Sequence, residues 1–266
     1  MCRVLGHDVQ TMPRKIRDEN PLFHPNVKLA PPAPPPTSRP MTENRFQRVL
    51  IVGASGGIGR AMVNHYRESG AEVSSLSRRE DGFDLTVPAT VEAHLVAQTG
   101  PFDLVIVATG ALEIDGKGPE KSLSHINADA LARQFAINAI GPALILRHVP
   151  RLMDRQGAGV CAVLSARVGS IGDNRAGGWY GYRAAKAAVN QIVRTGAIEL
   201  ARSHKGAALI ALHPGTVRTK FTENYLGRHP AVAPEEAAAN IARVLAGIGP
   251  AQTGQFFDWK GEPVPW

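Results

Sequence analysis

Residues 48–61 read "RVLIVGASGGIGRA": a short apolar run, then four glycines within seven positions, then the start of an amphipathic stretch, "AMVNHYRESGAEV". This combination constrains the fold more than any other feature of the chain. A fully apolar run of strand length suits a strand covered on both faces, and such strands belong to parallel sheets flanked by helices. The glycines follow the spacing G-x-x-x-G-x-G at Gly53, Gly57 and Gly59. Without side chains, the backbone there can come close to a pyrophosphate, and the N-terminus of the next helix offers free N–H groups and a positive dipole end. The turn is therefore assigned to cofactor binding through Gly53, Ser55, Gly57, Ile58 and Gly59. Two other readings fit the same glycines: a merely tight strand-to-helix turn, and the nucleotide turn of a methyltransferase. No Gly-Lys-Ser/Thr follows, which excludes a Walker loop.

From Gln47 onward, apolar runs and helical patterns alternate. Strands are expected over 48–52, 71–77, 82–86, 102–109, 159–166, 207–215 and 254–259. Helices are expected over 58–69, 90–98, 127–154, 180–202 and 234–248. No internal repeat is visible. The regular βα alternation predicts an α/β fold over 46–266: a single-domain, Rossmann-like, doubly wound parallel sheet of about seven strands, with helices on both faces. Residues 1–45 stand apart. "KLAPPAPPPTSRP" is too rich in proline for a helix or central strand, so a disordered or loosely extended N-terminal extension is expected, with Met41 as an alternative start.

The chain has 266 residues and is 44% hydrophobic, enough to bury a sizeable core. No apolar run reaches the roughly 18 residues of a membrane span. "MCRVLGHDVQ" has no secretory h-region. Only two cysteines occur, Cys2 and Cys161, so no disulfide framework is implied, and a reducing cytoplasm is expected. The net charge of +7 invites a nucleic-acid reading. Residues 1–40, however, hold six Lys/Arg against three Asp/Glu, and the remaining charges are scattered. Neither a nucleic-acid nor a membrane partner is expected, and no metal site is assigned.

The second expected strand ends in Leu76-Ser77-Arg78-Arg79. Chains that bind NAD carry an acidic residue here, about 20 residues beyond the glycine turn, for the ribose 2′-hydroxyl. A hydroxyl and two guanidiniums suit a 2′-phosphate, which assigns Ser77 and Arg78 to NADP. The NAD alternative stays open through Glu80 or Asp81.

Of four tyrosines, only Tyr182 has a lysine four residues later, Lys186. On a helix the two share a face. A free phenol has a pKa of about 10, and a nearby ammonium favours the phenolate and lowers it. The pair also follows the fifth strand, at the end of the sheet where such folds hold ligands.

Taken together, Gly53-x-x-x-Gly57-x-Gly59 and Tyr182-x-x-x-Lys186 resemble the short-chain dehydrogenase/reductase family over residues 47–266. Asp84-Leu85-Thr86 looks like its adenine-contacting stretch. "VATG" (107–110) stands where the family has Asn-Asn-Ala-Gly, which assigns Ala108, Thr109 and Gly110 to the cofactor. Asn138 in "NAIG" matches the helix asparagine. "HPGTVRT" (213–219) looks like the segment lining the nicotinamide, with Pro214, Gly215, Val217 and Thr219. "GPEKSL" (118–123), "GGWYGYRAAKAAVN" (177–190) and "GQFFDWKGEPVPW" narrow the likeness to the C-factor and sniffer-type carbonyl reductases. The resemblance implies an NADPH-dependent oxidoreductase acting on a carbonyl or alcohol. Tyr182 would move the proton. Lys186 would lower its pKa and hold the ribose, and Asn138 would hold a water that relays protons to Lys186.

One departure stands out. In "LSARVG" (164–169), Ala166 occupies the place of the family's catalytic serine. Ser165 is assigned to its role, with Ser170 as the alternative. Should neither serve, the contrasting reading is a non-catalytic nucleotide-binding protein, a signalling or redox-sensing module. The family likeness also implies a homodimer or homotetramer built on the helix 180–202, through Ala187, Ala188, Ile192 and Ala197.

Overall fold

A computed structural model describes residues 45–228 and 230–266. The expectation for residues 1–45 falls, apart from Arg45, outside the described residues. Strand β1 (Arg48–Val52) leads into α1 (Gly57–Glu68), and β2 (Glu72–Leu76) into the short α2 (Arg78–Asp81) and then α3 (Pro88–Val96). Next come β3 (Leu104–Val107), α4 (Ala128–Phe135), a π-helical segment (Ala136–Ile140), α5 (Gly141–Leu146) and α6 (Val149–Leu152). The chain continues through β4 (Val160–Leu164), α7 (Tyr180–Ser203), β5 (Ala208–His213), α8 (Pro234–Ala246) and β6 (Phe256–Asp258).

The strands form one six-stranded sheet in the order β2-β1-β3-β4-β5-β6. Every pairing is parallel. Successive side chains of a strand point to opposite faces. Accordingly Leu50, Val52, Val105, Val107, Cys161, Val163, Leu209 and Ala211 pack on one face with Val189, Val193 and Ala197 of α7. Val49, Ile51, Leu104, Ile106, Ala162, Ile210 and Leu212 pack on the other with Met62 and Tyr66 of α1 and Ile241 and Val244 of α8. This is the expected doubly wound α/β architecture.

Three expectations are corrected. Residues 82–86 are not a strand, so the sheet has six strands rather than seven. Asp84 Oδ1 instead accepts hydrogen bonds from Thr86 N (2.8 Å) and Thr86 Oγ1 (2.7 Å), a side-chain turn that competes with extended pairing. Nor is 127–154 one regular helix, because the π segment interrupts it. The burial of Ala197 is a third correction: it is 1% exposed and belongs to the core, leaving Ala187, Ala188 and Ile192 on the partly exposed face of α7.

β1 lies between β2 and β3, so the chain leaves it in opposite directions on its two sides. This is the switch point at which open α/β sheets form a crevice beyond the strand ends. There Gly53 N donates to Leu76 O (2.8 Å) and Ala108 N to Val52 O (2.7 Å), tying three strand ends together.

Candidate active site

The crevice is lined by Gly56, Gly57, Ile58 and Gly59 from the glycine turn and by Ala108, Thr109 and Gly110 after β3. Its other walls are Leu164, Ser165 and Ala166 after β4, Tyr182 and Lys186 of α7, and His213–Gly215, Val217, Thr219, Phe221 and Thr222 after β5. Most of the residues assigned from sequence meet here. Gly53, Ser55, Ser77, Arg78, Asp84, Leu85 and Asn138 lie outside this lining.

The glycines serve the fold as well as the cleft. Gly53 has φ of +94°, and a Cβ there would lie 2.7 Å from Ala108 O, so only glycine permits β1 and β3 to close at this point. A Cβ at Gly59 would run into the carbonyl of Gly53, and one at Gly57 into the Thr219 side chain. The turn is thus packed against the chain itself on two sides, and Gly57 opposes the segment after β5.

Beyond β2, Ser77 is buried and caps α2, its Oγ accepting from Glu80 N at 3.2 Å. Its own N–H and hydroxyl donate to Asp81 Oδ2 at 2.7 and 3.3 Å. One oxygen of the Asp81 carboxylate, Oδ2, is therefore engaged inside the loop. Arg78 and Arg79 are exposed. Hydrogen bonds from Thr86, with a smaller contribution from the Arg78 charge, hold the Asp84 carboxyl below the usual carboxylate range. Leu85 packs against Gly141 at the start of α5.

Asn138 sits on the π segment and is fully buried. Its Oδ1 accepts from Ala111 N (3.1 Å), and its Nδ2 donates to Ala111 O (2.8 Å) and Gln134 Oε1 (2.7 Å). Gln134 Nε2 in turn donates to Leu112 O at 2.9 Å. The two amides clamp the loop after β3. π-Helical turns concentrate at functional positions because they re-aim one side chain. Gly110 is wedged in the same place: a Cβ there would lie 2.9 Å from Asn138 Oδ1 and 3.5 Å from Lys186 Nζ.

Tyr182 and Lys186 stand one turn apart on α7, both buried. Lys186 Nζ donates to Leu164 O at 3.0 Å and lies 5.8 Å from the centroid of the Tyr182 ring. Burial lowers the Lys186 ammonium to about 8 and raises the Tyr182 phenol above its usual value. The expected depression of the tyrosine by its lysine is therefore corrected: in this environment desolvation dominates and the phenol keeps its proton. Trp179 (centroid distance 6.3 Å) and Phe221 (6.2 Å) flank the Tyr182 ring. Trp179 precedes α7 in a left-handed conformation, φ +56°, an unusual state for a bulky residue.

The serine position is an alanine in space as well as in sequence, since Ala166 lines the cleft. Ser165 is 4% exposed and faces α7, where its Oγ donates to Asn190 Oδ1 at 2.6 Å. Its single hydroxyl proton is engaged away from the cleft. Ser170 is 1% exposed, does not line the cleft, and accepts from Asp173 N at 3.1 Å. His213, Phe221 and Thr222 line the cleft without having been assigned from sequence. His213 was visible in "HPGTVRT", but nothing in that pattern said which way its ring points.

The cleft can hold a dinucleotide on grounds internal to the chain: a glycine-lined helix N-terminus at a switch point, beside a loop that ends in exposed guanidiniums. Comparison with known proteins agrees. The short chain dehydrogenase family model matches residues 47–228. A 1-hydroxy-2-glutathionyl-2-methyl-3-butene dehydrogenase from a Rhodococcus species is 31% identical over 82% of this chain and 99% of its own length. The C-signal protein of Myxococcus xanthus is 36% identical over 63% of this chain and 95% of its own. Among solved structures, a short-chain dehydrogenase/reductase from Burkholderia multivorans with bound NADP superposes with a TM-score of 0.70 at 26% identity, covering 83% of this chain and all of that one.

Proposed function

The chain belongs to the short-chain dehydrogenase family, and from that premise we propose that it is an NADPH-dependent reductase of aldehydes, ketones or quinones, with Tyr182 as the proton donor. The observation that carries this reading is the buried Tyr182–Lys186 pair lining the same cleft as the glycine turn. NADPH, when bound, supplies the hydride. The glycine turn and the N-terminus of α1 would hold its pyrophosphate, and Arg78 its 2′-phosphate, the donors of Ser77 being engaged by Asp81. The preference over NADH is supported by the exposed guanidiniums and the internal engagement of Asp81.

A phenol that stays protonated is the form carbonyl reduction needs. Tyr182 gives its proton to the carbonyl oxygen as negative charge develops there. The Lys186 ammonium, close to the ring, stabilises the phenolate left behind. Asn138 keeps the loop after β3 in position, and its amide protons are already engaged by Ala111 and Gln134, so we assign it positioning rather than proton transfer. The test is NADPH oxidation, followed against a panel of aldehydes, ketones and quinones. Turnover of at least one class that vanishes in Tyr182→Phe supports the reading. Tight NADPH binding with no turnover across the panel would favour the contrasting reading, a nucleotide-binding signalling or redox-sensing protein.

A further inference from the structure

Transfer of a hydride to a carbonyl builds charge on its oxygen, and a second hydrogen-bond donor beside the phenol stabilises that charge. The serine hydroxyl that would supply this donor is absent at Ala166, and the hydroxyls nearby are engaged or sealed. Ser165 gives its proton to Asn190. Thr222 Oγ1 donates to the Val217 carbonyl, and Thr219 Oγ1 lies 3.5 Å from Thr222 Oγ1. Thr109 Oγ1 is buried without a partner. His213 remains. It is the last residue of β5 and lines the cleft together with Ala166, Tyr182 and Lys186. Leu212 faces the α1/α8 side of the sheet, so His213, next in the strand, faces the α7 side, where Tyr182 stands. Ser165 N bonds to Leu212 O, which sets Ser165 and His213 side by side on that face.

We propose, resting on the reductase reading above, that His213 is a catalytic residue: its neutral imidazole donates a hydrogen bond from Nε2 to the substrate carbonyl oxygen, in the role the absent serine hydroxyl would fill. Nδ1 is buried and unpartnered, which leaves Nε2 as the nitrogen open to the cleft. A tautomer with its proton on Nε2 turns the ring's donor toward the cleft. Burial, which outweighs the attraction of Asp258, lowers the ring's pKa to about 4, so it is uncharged at neutral pH. A neutral imidazole acting as an electrophile has precedent in enzyme chemistry. No bond to His213 forms or breaks. The hydride goes to the carbonyl carbon and the Tyr182 proton to the oxygen, while the imidazole keeps its own proton.

The experiment compares wild type, His213→Leu, His213→Gln, the double variant His213→Leu/Ala166→Ser and Tyr182→Phe. Turnover of the panel compound reduced fastest and the NADPH dissociation constant are measured for each. The proposal expects His213→Leu to lose about a hundredfold or more in kcat with NADPH affinity retained. His213→Gln keeps a neutral donor and should fall between it and wild type. Ala166→Ser in the His213→Leu background should restore turnover by restoring a hydroxyl. A His213→Leu enzyme as fast as wild type, beside an inactive Tyr182→Phe, overturns the assignment and leaves the reductase reading intact. An active Tyr182→Phe overturns the reading and the proposal with it. Nitrogen NMR of the histidine-labelled wild-type protein decides even if the variants fail to fold: a proton on Nε2 supports the proposal, and a proton on Nδ1 overturns it.

Discussion

Tyr182 and Lys186 respond to the same burial in opposite directions, because desolvation penalises whichever form is charged. Tyr182→Phe keeps the ring against Trp179 and Phe221 and removes only the transferable proton. It should cut carbonyl reduction by about 10²–10⁴-fold, the usual share of a general acid, with NADPH affinity unchanged in a binding titration. Lys186→Ala should weaken both, since its ammonium serves the phenolate and the ribose. Arg78→Ala should loosen NADPH by about tenfold or more, the scale of one charge-assisted hydrogen bond, and leave NADH unaffected. Equal shifts for the two cofactors would show that Arg78 does not read the phosphate. His213 adds a pH signature. Its folded pKa of about 4 lies below the ordinary 6.5, so between those values the unfolded chain binds a proton that the folded chain does not. Stability is lost as pH falls through that window. Carboxylates titrate there too, so the comparison is with His213→Gln, whose melting temperature should fall less than that of wild type on acidification. At this scale the Tyr-Lys pair was legible because helical spacing alone brings the two side chains together. The role of His213 was not, because it depends on what Ala166 lacks and on how Ser165 and Asn190 pair in space.

At the scale of elements, hydrophobic period located most strands and helices, since each is buried against the sheet. It failed where side-chain hydrogen bonds outcompete regular backbone pairing. Asp84 and Thr86 close a turn on each other, which periodicity does not register, and the expected third strand is lost. The helix around Asn138 widens to a π turn, and the sequence "AINAI" carries no mark of it. There the amide of Asn138 holds both backbone groups of Ala111 and the side chain of Gln134. Asn138→Ala leaves these buried groups without partners, at about 1–3 kcal/mol for each unsatisfied group. A clear fall in melting temperature is expected, together with reduced turnover, because Gly110, next to Ala111, lines the cleft. Unchanged stability in a thermal melt would mean that the loop is held by other contacts.

For the whole molecule, each face of the sheet is covered by helices, and the question left is which helical surface meets another copy. On α7, one side packs Val189, Val193 and Ala197 into the core. The other side carries Ala187, Ala188 and Ile192, all partly exposed. Ile192 shares a shallow groove with Leu146 of α5 and with Val149 and Pro150 of α6, and Ile140, 53% exposed, ends the π segment just before α5. Small and apolar residues at helical spacing let two helices approach closely, and a two-fold axis would bring this surface against its own copy. The expected state is a homodimer, or a homotetramer that contains this contact, at micromolar concentration in sedimentation velocity. Ile192→Glu sets a charge at the centre of the surface. Two such carboxylates facing each other across a two-fold axis repel and lose water, so the variant should sediment as a monomer while its circular dichroism stays that of wild type. A wild-type protein that is monomeric at the same concentration removes the dimer, and a variant that still associates moves the contact to another face.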